Sequence, residues 1–158
     1  MRAFLLLAIL STVTCVSVSA SAASLYVDGS VSSSGDGTSW ETALKTIQEG
    51  IDKAVEGDTV IVAEGSYVEN IQLKGKNIVL TSTDPLNPTV VAHTIIDGNQ
   101  ENPVVIFTGT EDETCLVAGF TLRNGRGLDW RYGGGIYGSG THATIRHNII
   151  TLNRLPST

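Results

Sequence analysis

Two short stretches late in the chain decide its fold: GFTLRN, Gly119–Asn124, and NIITLN, Asn148–Asn153. Laid over one another they pair Phe120 with Ile149, Thr121 with Ile150 and Asn124 with Asn153. A third run, GGGIYG from Gly133 to Gly138, lies between them and leaves room for one or two turns of a coil. Units of this kind cannot bury an apolar face alone and must stack on their neighbours. The inward positions are then Val117, Phe120, Leu122, Ile145 and Ile149. Asparagines at matching bends would bond the backbone and each other, which gives Asn124 and Asn153 a structural reason to recur. Gly119 and the run Gly133–Gly135 supply sharp corners or positive φ.

Working back toward the N-terminus, the same kind of material continues. Short runs rich in Val, Ile, Thr and Phe (TVIVA, ENIQL, NIVLTS, HTIIDG, VVIFTG) are each broken by Gly, Asn or Pro, the pattern of strands and turns. No long helical pattern separates them, which excludes a doubly wound α/β sheet. The remaining choice is an antiparallel sandwich or a β-solenoid, and the internal repeat selects the solenoid. One segment changes period: Leu44, Ile47, Ile51 and Ala54 or Val55 recur at helical spacing. It predicts a single helix, starting at Thr46 through a Thr46/Glu49 capping box, with Thr42 as the alternative start, and stopping at Gly57 after Glu56.

The first residues carry Arg2, an apolar run from Ala3 to Leu10 and then small residues, the layout of a cleaved secretory leader over residues 1–22. The small residues Ala20 and Ala22 place the cut after Ala22, with Ala20 as the alternative. The apolar run is far shorter than the ~20 residues a membrane helix needs, and Cys15 follows TVT rather than the small residue of a lipobox. Ten basic residues stand against 16 acidic ones in the whole chain. Losing residues 1–22 removes only Arg2, so the exported product is more acidic still, a poor match to nucleic acid or anionic membranes. Cys115 is then the one remaining thiol, with no partner for an internal disulfide. Alternation puts it on the face of Val117, as a buried and inert side chain. Residues 23–158 fit one domain.

The opening LYVDG…GDGTSWETALKTIQEGIDKAVEGDTVIVAEGSYVENI, the following NIVLTS…TIIDG and the final GFTLRNG…GGGIY…TIRHNIITLN resemble the start of a right-handed parallel β-helix protein of the pectate-lyase-like superfamily, in the bacterial group carrying parallel β-helix repeats. The resemblance covers Leu25 to Asn153. It implies an all-β, right-handed parallel β-helix with one N-terminal capping α-helix, laying Leu44, Ile47 and Ile51 over the first rung. It also implies a covering for the far end of the coil, by further rungs or a partner chain, so the chain reads as an N-terminal fragment.

The same resemblance implies acidic extracellular polysaccharide as partner. Lyase members use a basic residue and bound Ca²⁺; hydrolase members use paired carboxylates. The lyase signature WIDH and the polygalacturonase elements NTD, GHG and RIK do not occur, and RLPST holds only the beginning of the lyase pattern R-x-P-x-x-R. The one loop with the right mixture is RNGRGLDWRYGGG. In it Arg123, Arg126 and Arg131 suit uronate carboxylates, Trp130 and Tyr132 suit sugar faces, and Asp129 suits Ca²⁺ or acid–base chemistry. The acidic turn at Glu111, Asp112 and Glu113 lacks the spacing of a Ca²⁺ loop and reads as a solvated turn. Asp97 reads as structural, and His142 with His147 lack a third ligand for zinc. The sequence therefore predicts an exported β-helix that binds or processes polysaccharide, this segment acting as cap and scaffold. The alternative is a non-catalytic, adhesin-type surface rod.

Overall fold

The computed structural model describes residues 21–129 and 133–156. Of the expected leader only Ser21 and Ala22 fall within it; Cys15 and Ala20 lie outside the described residues. In chain order the elements are β1 (Ser24–Val27), α1 (Ile47–Lys53), β2 (Thr59–Val62), β3 (Gly65–Val68), β4 (Ile71–Gln72), β5 (Val79–Ser82), α2 (Pro88–His93) and β6 (Thr94–Asp97). They continue with β7 (Val105–Ile106), β8 (Leu116–Ala118), β9 (Thr121–Arg123), β10 (Ile136–Tyr137), β11 (Thr144–Arg146) and β12 (Ile149–Thr151). The fold is mostly β, and its sheets are parallel. One sheet runs β1-β2-β5-β8-β11, a second β3-β6-β9-β12 and a third β4-β7-β10. From β2 onward the chain visits the three in constant rotation.

Because side chains alternate along a strand, each sheet sends every second residue inward, in columns that run across the strands. In the first sheet Leu25, Val60, Leu80 and Val117 lie in register; in the second, Tyr67, Ile96 and Leu122; in the third, Ile71 and Val105. All are buried in one cluster with Phe107 and Phe120. The column Val27–Val62–Ser82 ends against Gly119, whose φ of +88° and position against the Ser82 hydroxyl and Pro85 leave no room for a side chain. Ser82 itself is 1 % exposed, and its hydroxyl has no hydrogen-bond partner among the described residues. Replacing Ser82 with Ala removes this unpaired group and is expected to raise stability by about 1–2 kcal/mol. A urea melt showing a loss instead would mean the hydroxyl is satisfied.

The strands that carry the two stretches, β9 and β12, do pair, but in a register that differs by one residue from the sequence alignment. Ile149 pairs with Thr121 and Ile150 with Leu122, and a slip of one exchanges the two faces of a strand. Ile150 therefore takes the inward position, while Ile149 turns outward beside Pro85 and Val91. Ile145 holds its expected inward place in register with Val117, yet it is 40 % exposed because β11 is the outermost strand of its sheet. The Asn ladder is also different. The Asn153 carboxamide accepts from the Gly125 amide at 2.7 Å and donates to the Leu122 carbonyl at 3.0 Å. Asn148 does the same for Phe120 and Val117 at the preceding bend. Each asparagine thus satisfies backbone of the earlier turn, and Asn124 donates to Asp97 instead. The interval between the repeats holds a single turn of the rotation.

Helix α1 starts at the expected capping box, Thr46 accepting from the Glu49 amide and Glu49 from the Thr46 amide. Two more amides of its first turn, those of Ile47 and Gln48, donate to the Glu69 carboxylate at 2.9 Å each. The stretch Gly65–Glu69 is thereby explained: Tyr67 is buried in the core, and Glu69 ties the start of α1 to the end of β3. The helix ends at Lys53 rather than at Glu56, because the Lys76 ammonium takes the carbonyls of Ile51, Asp52 and Ala54 at 2.7–2.8 Å, satisfying the orphan acceptors of the last turn. Gly50 lets the helix approach Val27 and Val60; a Cβ there would stand 2.8 Å from Val60. The second helix, α2, was not expected from sequence. It has an Asn87 cap and Pro88 in its first turn.

Candidate functional site

The arginine loop leaves the second sheet after β9 and returns at β10. Its base is fixed by backbone bonds: the Arg126 amide donates to the Asn102 carbonyl at 3.0 Å, the Gly127 amide to Arg154 at 2.9 Å and the Arg154 amide to Gly125 at 3.0 Å. Gly125 and Gly134 meet backbone to backbone where no side chain fits. Arg123 is already engaged, its Nε donating to Asp97 Oδ2 at 2.9 Å. Asp97 also accepts from Asn124 and from the Asn99 amide. Burial pushes the Asp97 carboxyl up, but these three donors outweigh it and hold it below the usual range. Arg126 and Asp129 are half-buried, and Asp129 has a bonding partner of its own. Trp130, Arg131 and Tyr132 lie outside the described residues. Of the three expected arginines, one is therefore spent on a structural ion pair.

The acidic turn is not solvated at Glu111. That side chain is 1 % exposed and accepts from the amides of Thr108 (2.9 Å), Gly109 (2.9 Å) and Gly75 (3.0 Å). It ties the bend after β7 to the bend before β5 and is occupied by backbone, not poised for Ca²⁺. Among the described residues no group of three or more His, Cys, Asp or Glu is placed to hold a metal ion. Cys115 is fully buried, and burial pushes its thiol up to about 11, so it is neither nucleophile nor ligand at neutral pH.

A second place emerges that sequence reasoning passed over. The residues just beyond β1, β2 and β5 line an open cleft of about 470 Å³, formed by Asp28, Ser30, Trp40, Ala63, Glu64 and Thr83. Three neighbouring strands of one sheet thus contribute to one surface. Trp40 is 40 % exposed and packs on Tyr26 with ring centroids 4.8 Å apart and planes tilted by 59°, which fixes the indole without covering it. Asp28 accepts from the Ser30 amide at 2.8 Å. Glu64 lies 3.7 Å from the exposed His93 ring at the end of α2. The described lining holds two carboxylates and no lysine or arginine. The available signal was a lone Trp inside a Ser/Gly-rich turn.

No family model matches the chain, and no solved structure matches it. A search of curated proteins finds similarity to the "Uncharacterized protein YwoF" of Bacillus subtilis (strain 168), 27% identical over 134 residues. The match takes in 80% of this chain and 28% of that relative, so the chain spans well under two thirds of the relative's length. No helix among the described residues is long and apolar enough to cross a membrane.

Proposed function

We propose that the three parallel sheets close into a right-handed parallel β-helix, exported behind its N-terminal leader and capped by α1, whose flank binds extracellular polysaccharide. The constant rotation through three sheets supports the coil, and the strong preference for right-handed crossovers between parallel strands supports its hand. The observation that carries the binding reading is the Trp40 cleft. A half-exposed indole held by a second aromatic ring offers an apolar face to a pyranose ring, and adjacent carboxylates accept its hydroxyls. Arg126, with Arg131 in the same loop, is the part suited to acidic sugars; the cleft, carrying two carboxylates, suits neutral or amine-bearing ones. The rod alternative draws on a different observation: Glu69, Asp97, Glu111, Asn148 and Asn153 are all committed to internal bonds, as scaffold residues would be.

The test is affinity electrophoresis of the leader-free chain through gels containing neutral, uronate or amino polysaccharides. We expect retardation by at least one polymer, lost on Trp40→Ala if the cleft binds it and on Arg126→Ala if the loop does. Unretarded migration in every gel would remove saccharide binding and leave the rod; retardation that survives both substitutions would remove the cleft and the loop as its site.

A further inference from the structure

We infer that export processing after Ala22 creates a structural ion pair between the new N-terminal ammonium of Ala23 and Asp58. Asp58 is only 5 % exposed, a position where a carboxylate needs partners. One of its oxygens accepts from the Val55 amide at 2.9 Å. The other accepts from the nitrogen of Ala23 at 2.8 Å, the first residue tied into the first sheet, whose carbonyl in turn receives the Thr59 amide at 2.8 Å. Ser21 and Ala22, just before it, are exposed, and Ala20 with Ala22 form the small-residue cleavage pattern.

In the uncut chain the Ala23 nitrogen is an amide and offers Asp58 a neutral hydrogen bond. Hydrolysis of the Ala22–Ala23 peptide bond adds water across it. Ala22 leaves as a carboxylate on the leader, and the Ala23 nitrogen becomes an amine that is protonated at neutral pH. The same atom then meets the same carboxylate as a charged donor, so the attraction of opposite charges is added to a bond that until then carried only the charge of the carboxylate. A cut after Ala20 would leave Ser21 and Ala22 in front and forfeit the pair. The geometry therefore favours Ala22 over Ala20 as the processing point and makes the mature end part of the fold rather than a loose tail. This rests on the export reading but not on any saccharide.

The experiment begins with the full chain produced in an exporting host and its mature end read by intact-mass spectrometry. A start at Ala23 is expected; a start at Ser21, or an uncut chain, would overturn the inference. Urea unfolding then compares the Ala23-start form with a Ser21-start form, each with Asp58 and with Asp58→Asn. The folded-to-unfolded ratio should be about 5- to 30-fold higher for the Ala23 form, and the advantage should vanish with Asp58→Asn. Equal stabilities, or an advantage that persists without the carboxylate, would sink it. Should Asp58→Asn not fold, amine acylation decides. The Ala23 amine should react about tenfold more slowly than the Ser21 amine, the effect of one unit of raised pKa; equal rates would contradict the pair.

Discussion

Replacing Glu111 with Ala is expected to lower stability by about 3–5 kcal/mol, because it removes one buried carboxylate that accepts three backbone hydrogen bonds at once. The amides of Gly75, Thr108 and Gly109 converge on that one carboxylate, so its loss unties two bends of the chain together. Glu111→Gln keeps one acceptor oxygen and should fall between wild type and alanine. The pH dependence has a definite sign. Burial pushes the Glu111 carboxyl up, but the amides around it outweigh burial and hold it below the usual glutamate range. Its contribution is thus complete above the unfolded-state pKa and is lost as pH falls through the lower folded value. Glu69 runs the other way: burial raises it despite the amides of Gln48 and Ile47, so its contribution is present below the unfolded pKa and lost as pH rises through the raised one. Urea midpoints measured from pH 7 down to pH 3 should show acid sensitivity that Glu111→Gln reduces and Glu69→Gln does not. A cost below about 1 kcal/mol for Glu111→Ala would mean the turn is open to water.

Replacing Phe120 with Ala should cost about 3–5 kcal/mol, the range for a buried aromatic truncation. The ring is fully buried at the corner between β8 and β9. The corner itself is stitched on both sides, the Phe120 amide donating to Asn148 at 2.9 Å and its carbonyl accepting from Ile149 at 2.8 Å. Collapse of the hole is therefore resisted by backbone bonds to the next turn, which favours the upper part of the range. The informative control is Ile149→Ala. In the sequence alignment Ile149 was the partner of Phe120 and equally inward; in the structure it is outward and 43 % exposed. Its truncation should cost about 0.5 kcal/mol or less. Equal losses at the two positions in denaturant melts would restore the sequence register and refute the observed one.

The contrast shows what was legible in the sequence. Strand-rich composition, the period change at Leu44–Ile51 and the Thr46/Glu49 pair were readable because each is a local signal with a local cause. Register was not, since the match of Asn124 with Asn153 favours the wrong offset, whereas Asn148 and Asn153 bond backbone of the preceding strand segment rather than a matching asparagine. Helix α2 was hidden because Thr89, Val90 and Val91 favour strands, while its signal lay in the Asn87–Pro88 cap. Glu111 looked like part of a solvated acidic run because its amide partners are supplied partly by Gly75, 36 residues earlier. The candidate loop was visible as a mixture of charges and aromatics. That Arg123 belongs to Asp97 could be seen only once β6 and β9 were paired, and the Trp40 cleft only once three strand ends were brought side by side.

The central claim is that each turn lies directly on the one before it, in the register that places Leu116 beside Thr144 and Val117 beside Ile145. Neighbouring strands lie about 4.8 Å apart, within the Cα separation a disulfide tolerates. Paired cysteines therefore measure this directly. In a leader-free chain with Cys115→Ser, Leu116→Cys combined with Thr144→Cys should close an intramolecular disulfide under mild oxidation. Leu116→Cys combined with Ile145→Cys, whose side chains point to opposite faces, should stay reduced. The reverse outcome, or closure of neither pair in a folded chain, would contradict the stacked arrangement on which the cleft, the cap and the mature N-terminus all depend.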